Sequence, residues 1–144
     1  MTLVIDASVI IKWLLQDPAR ESATAEATAL MEAVTGGRVQ VLQPFHWLAE
    51  IAAVLSRLSP GTAADDILLV QALGLPTTDD PPVLKRACRL AAKYEAHAFD
   101  TLYHAVALES PEAVLITADA AYHRATVSAG RIRLLENWRP WRTT

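Results

Sequence analysis

At 144 residues, with 52% hydrophobic and 20% charged side chains, the chain suits one compact domain (1–144) with a sizeable core, and it is not disordered. The net charge is −3, and no run is basic enough to suggest tight non-specific DNA binding. No apolar run approaches the roughly 20 residues of a membrane span, and the first residues carry neither a basic segment nor a small-residue cleavage site, so a cytoplasmic location is expected.

Leu3-Val4-Ile5 reads as a short strand buried on both faces, and Asp6 follows at its C-terminal end, the edge where open α/β sheets bind ligands. Ala7 to Leu15 reads as a helix. Asp6 then sits in the strand-to-helix turn beside orphan backbone N–H groups and near Ser8, and capping that helix is one role open to it. Asp17-Pro18 breaks the pattern before a second helix that runs to about Val34, with Ala25, Ala29, Leu30 and Ala33 as packing positions and Gly36-Gly37 as its end. Val39 to Leu42 is a second strand. Pro44 opens a third helix, Phe45 to about Leu58, closed by Ser59-Pro60-Gly61.

A fourth helix over Thr62 to Leu73 carries Asp65 and Asp66 in its first turn, where they favour the dipole. Gly74 to Pro82 is a loop. The helix from about Val83 to Ala96 sets Lys85, Arg86, Arg89 and Lys93 opposite Leu84, Ala87, Leu90 and Ala91; the basic side is read as solvated, or as a phosphate-contacting face. Its Cys88, the single cysteine, has no partner for a disulfide and is expected to pack as a small apolar residue. Asp100 begins a helix carrying Leu102, Ala105, Val106 and Leu108. Val114 to Thr117 is a third strand, ending in Asp119 and a further helix to about Ala129; Ile132 to Leu135 reads as an edge strand. The tail Trp138-Arg139-Pro140-Trp141-Arg142 packs across a dimer or covers an apolar face.

Strands alternating with helices predict an α/β fold of three layers, a central mainly parallel sheet between helices. The charge is unevenly spread along it. Residues 1–84 hold 4 Lys/Arg against 10 Asp/Glu, whereas residues 85–144 hold 9 against 6, so the C-terminal part suits an anionic partner, although solvated helix faces explain such charges equally well.

Glu50 is the acid hardest to explain structurally. Its neighbours Trp47, Ala49, Ile51, Ala53 and Val54 predict a helix apolar nearly all round and largely buried, where an ionised carboxylate needs a partner. Arg57 is two turns away, and a metal cation is one resolution. Asp100 and Asp119 each stand at a helix start, where capping is the competing role, with Thr117 a rival cap for Asp119. Hard cations such as Mg²⁺ or Mn²⁺ take oxygen ligands, and such an ion polarises a scissile phosphoryl group, acidifies the attacking water and neutralises the leaving oxygen. His46, His97 and His123 show no ligand spacing. His104, four residues after Asp100, either faces the same site or packs.

The stretch Val4-Ile5-Asp6-Ala7-Ser8-Val9-Ile10-Ile11-Lys12-Trp13, Glu50 in an apolar helix, Ala98-Phe99-Asp100-Thr101-Leu102-Tyr103-His104-Ala105 and Leu115-Ile116-Thr117-Ala118-Asp119 together resemble PIN domains, especially the short VapC-type toxins of bacterial toxin–antitoxin pairs. The resemblance covers nearly the whole chain. It implies a Mg²⁺- or Mn²⁺-dependent endoribonuclease with Asp6, Glu50, Asp100 and Asp119 as catalytic and metal-holding acids and Ser8 and Thr117 as polar supports. It also implies a homodimer, an RNA substrate and a cognate antitoxin that covers the catalytic groove; direct DNA binding by this chain alone is not expected. The rivals are a PIN-like module that binds RNA or protein without cutting and a phosphotransfer domain of another doubly wound type. A haloacid-dehalogenase-like phosphatase usually needs a second Asp where Ser8 stands, and the acidic pair and strand-end Lys of a response receiver are not found.

Overall fold

The computed structural model describes residues 1–15 and 22–140; the expected break at Asp17-Pro18 and the tail residues Trp141 and Arg142 lie outside them. Thr2–Ile5 forms β1, a central strand, because its apolar side chains are covered on both faces. It pairs in parallel with β2 (Gln40–Val41) on one side and β5 (Ala113–Thr117) on the other, and β5 pairs in parallel with β6 (Ile132–Leu134), giving the order β2-β1-β5-β6. The sheet is flanked by α1 (Ala7–Leu14), α2 (Thr24–Thr35), α3 (Trp47–Leu58), α4 (Ala63–Gln71), α5 (Pro81–Tyr94), α6 (Ala98–Glu109) and α7 (Ala120–Thr126). The fold is the expected α/β/α arrangement about a parallel sheet. Among the described residues no helix is long and apolar enough to cross a membrane.

The core is one cluster of apolar side chains drawn from every layer, including Ile5, Ile10, Leu30, Ile51, Val106 and Leu115. α6 lies deepest: Thr101 through Ala107 are all buried, as expected of a helix apolar nearly all round. Two of its polar members, Thr101 and His104, are satisfied. The Thr101 hydroxyl donates to the Ala87 carbonyl at 2.8 Å. His104 is fully buried, its Nε2 2.7 Å from the Gly130 carbonyl and its Nδ1 3.1 Å from the Tyr122 hydroxyl. The carbonyl accepts only, so Nε2 carries the proton and Nδ1 accepts from Tyr122. Burial also lowers the His104 pKa, and the side chain is a packed clip rather than part of the site.

Two short strands absent from the sequence reading, β3 (Gln43–Pro44) and β4 (Thr77–Thr78), pair in parallel. Pro44 therefore ends a strand instead of opening α3, and the segment read as a loop carries a bridge. Gln43 is fully buried; its carboxamide accepts from the Ile5 N–H and donates to the Ile5 carbonyl, both at 2.8 Å. One side chain thus extends the ladder where β2 has already ended, immediately before Asp6.

Several packing expectations are corrected. Ala27, not Ala25, joins Leu30 and Ala33 in the buried face of α2. Cys88 is exposed, because the buried stripe of α5 is Val83, Ala87 and Leu90, and Leu84 is exposed with it. α3 is not buried all round: Trp47, Ile51 and Leu55 face the core while Ala49 and Ala53 face solvent. Trp138 is buried in the core, so this part of the tail covers an apolar face of its own chain.

Candidate active site

The C-terminal edge of the sheet opens into a groove of about 360 Å³ lined by Asp6, Ser8, Lys12, Glu50, Asp100 and Asp119 among others. All four acids singled out in the sequence therefore reach one place. They arrive there by different routes.

Asp6 ends β1 and caps α1, accepting from the Ser8 N–H at 3.2 Å. The Ser8 hydroxyl also bonds to it, and the Thr117 hydroxyl donates at 3.3 Å. All three contacts fall on Oδ2, so no donor holds Oδ1 among the described residues. The Asp6 carboxyl is pushed up to about 6, chiefly by burial, with the charges of Glu50 and Asp100 adding and the bonds from Ser8 opposing. Asp119 ends the segment after β5 and caps α7 through Oδ1, which accepts from the Tyr122 N–H at 2.9 Å. Its own N–H donates to Thr117 Oγ1 at 3.1 Å, while the Ala118 N–H donates to Ser8 Oγ at 3.0 Å. Ser8 and Thr117 thus tie the two strand ends together.

Asp100 has no capping duty. The α6 cap is His97, whose ring accepts from the Phe99 N–H at 3.1 Å, and Asp100 stands in the first turn with no hydrogen bond to its carboxylate among the described residues. Its pKa is raised, first by partial burial and then by the charges of Glu50 and Asp119.

Glu50 is partly covered, its side chain 18% exposed. Its partner is one that the sequence did not reveal. His46, one turn earlier, places Nε2 3.0 Å from Glu50 Oε2 and 3.0 Å from the Phe99 carbonyl. Both neighbours only accept, so Nε2 carries the proton. Among the described residues Glu50 Oε2 nevertheless forms no aligned hydrogen bond, and neither does the buried Tyr103 hydroxyl. Burial and the adjacent Glu50 charge raise the Tyr103 pKa, so the phenol stays protonated. The His46 ring packs edge-on to Tyr103, 5.0 Å between centroids, and against Phe99 at 4.9 Å.

A family model for the PIN domain matches residues 3–127, a span that includes all four acids. The chain belongs to the PIN domain family. PIN domains are typically nucleases that use divalent metals. No curated protein sequence matches the chain.

Among the described residues no group of three or more His, Cys, Asp or Glu side chains is arranged to hold a metal ion. The carboxylates of this PIN domain share the groove without converging on one point. Their chemistry still fits a hard cation: among the described residues Asp6 Oδ1, Asp119 Oδ2 and the Asp100 carboxylate have no donors and Glu50 Oε2 is buried without a hydrogen bond, and Asp6 and Asp100 are each made more basic by carboxylate neighbours. Ligation by three of them takes side-chain reorientation.

His46→Phe keeps an aromatic ring but removes the N–H that faces Glu50. If Glu50 serves the reaction, activity should fall about 10–100-fold, the cost of losing an outer partner of a metal-holding group, with the metal-activation midpoint moving upward and the fold retained. An unchanged activation curve would show His46 to be packing only.

Proposed function

We propose that this PIN domain is a metal-dependent endoribonuclease, and that it acts in the cytoplasm as the VapC-type toxin of a toxin–antitoxin pair, restrained by a cognate antitoxin. The observation that carries the reading is the convergence of Asp6, Glu50, Asp100 and Asp119 on one groove, two of them with carboxyl pKa values raised in part by the charges of the others. Four like charges in a cleft are a poor arrangement for stability and a good one for a cation.

Asp6, Glu50 and Asp100 would hold Mg²⁺ or Mn²⁺, directly or through water, and Asp119 would complete the negative pocket. Once bound, the cation supplies Lewis-acid polarisation of the phosphoryl group and neutralises developing charge. The chain does the positioning: Ser8 and Thr117 grip Asp6 Oδ2 and turn Oδ1 loose, and His46 stands beside Glu50. The exposed Leu58 of α3 and Leu68 and Leu69 of α4 are apolar surface that a second copy of the chain or an antitoxin would cover.

A panel of structured RNAs, incubated with wild type and Asp100→Asn in Mg²⁺, Mn²⁺ and EDTA, tests the chemistry. Internal cleavage is expected for wild type with metal and in no other lane. Cleavage surviving EDTA would remove the metal role. The absence of a ready three-ligand cluster among the described residues favours one second reading, a PIN-like module that binds RNA without cutting it, and RNA bound but uncut in every lane would establish it. Growth arrest on expression, lost with Asp100→Asn and relieved by the product of a neighbouring small reading frame, is the result expected of a toxin.

A further inference from the structure

The acidic groove by itself repels RNA. Among the described residues that line it Lys12 is the one cation, and its ammonium is tied to the Ser22 carbonyl at 2.8 Å. A chain of net charge −3 must therefore draw a polyanion with cationic surface elsewhere.

A second groove, about 330 Å³, is lined by Arg86, Arg89, Leu90, Lys93 and Tyr94, with Leu108 of α6 and Ala129 beyond α7. From Arg86 to Lys93 the cations form a row about 10 Å long on one face of α5. Arg86 is braced by Glu109, with Nε 2.5 Å from Oε1. Lys93 stands over the Tyr94 ring at 5.3 Å, and the Tyr94 hydroxyl meets Ser128 at 3.2 Å. Arg89 is exposed and has neither a hydrogen bond nor an ion pair among the described residues. Only Glu95 to His97 separate Tyr94 from α6, whose first turn carries Asp100, so the Lys93 end of the row is the one nearer the acidic groove.

We infer that this α5 groove is the docking track for the phosphodiester backbone of single-stranded RNA, holding the strand by charge while the acidic groove acts on it. The inference rests on the nuclease reading for its choice of polyanion. The occupant follows from charge: a row of guanidinium and ammonium groups beside an aromatic ring suits a phosphate backbone.

The test measures binding of a fluorescein-labelled single-stranded RNA of mixed sequence in EDTA, across a salt series. The proteins are wild type, the double variant Arg89→Ala with Lys93→Ala, and a control double variant, Arg38→Ala with Arg57→Ala, which removes the same charge from other exposed positions. Two lost phosphate contacts should make the slope of log affinity against log salt shallower by about 1.4 and weaken binding about 25-fold near 0.1 M salt. The control should keep the wild-type slope. An unchanged slope in the groove variant, an equal loss in the control, or no RNA binding by wild type would each overturn the track.

A cleavage arm with Mg²⁺ or Mn²⁺ separates the two readings. A raised KM with kcat retained in the groove variant supports the track, and a loss confined to kcat overturns it. If wild type cuts no RNA, the nuclease reading falls while the binding comparison still decides the groove.

Discussion

Asp6→Asn is expected to abolish RNA cleavage and, in the absence of metal, to make the protein more stable. Asp6 is 8% exposed, and its carboxyl is pushed from 3.8 up to about 6. A shift of roughly two units is worth about 3 kcal/mol. Between pH 3.8 and about 6 the folded chain keeps a proton that the unfolded chain has lost, so this residue's contribution is best below pH 3.8, declines as pH rises towards 6 and stays low above it. Asparagine removes that burden and keeps the cap, since its amide oxygen still accepts from Ser8. Melting in EDTA should show the variant ahead by about 3–10 °C near pH 7.5, with the gap closing near pH 4. Mg²⁺ should raise the melting temperature of wild type and leave the variant unmoved. Activity should fall by more than the roughly 10–100-fold seen when an outer partner is lost. A variant no more stable than wild type in EDTA would contradict the account of a charge-strained groove.

Gln43→Leu is expected to be the most damaging change to the fold at this edge. The substitution leaves the Ile5 N–H and carbonyl buried without partners, since the Gln43 carboxamide meets both at 2.8 Å. At about 1–3 kcal/mol for each orphaned group the loss is about 2–6 kcal/mol, large against the marginal stability of a domain this size. Urea denaturation should show a lower midpoint with an unchanged slope. Because Ile5 precedes Asp6, activity per folded molecule should fall as well. A midpoint matching wild type would mean that other groups serve both atoms of Ile5.

Asp6 and Asp119 were legible in the sequence because a strand, an acid and a helix start form a local pattern, and local patterns survive folding. The α/β/α fold followed from the same alternation. Glu50 stands out in the sequence for a partly mistaken reason: its small apolar neighbours predict burial all round, whereas Ala49 and Ala53 face solvent. Its neighbour His46 escaped notice because the contact that fixes its ring, to the Phe99 carbonyl, spans 53 residues. The sequence offers Asp100 as a cap, but His97, a residue type outside the usual capping set, takes that duty. Gln43 gave no signal at all, since a side chain that substitutes for a strand is recognisable only once Ile5, 38 residues away, lies beside it.

The two halves of the acidic groove differ in anchorage. Asp6 and Asp119 follow neighbouring strands locked in register and laced together through Ser8 and Thr117, whereas Glu50 rides on a helix packed on the core through Trp47, Ile51 and Leu55, with the His46 imidazole beside it. A shift of that helix alone would part Glu50 from the other three carboxylates while leaving every acid intact, so the groove keeps its shape on one side by strand register and on the other by the fit of a helix to the core.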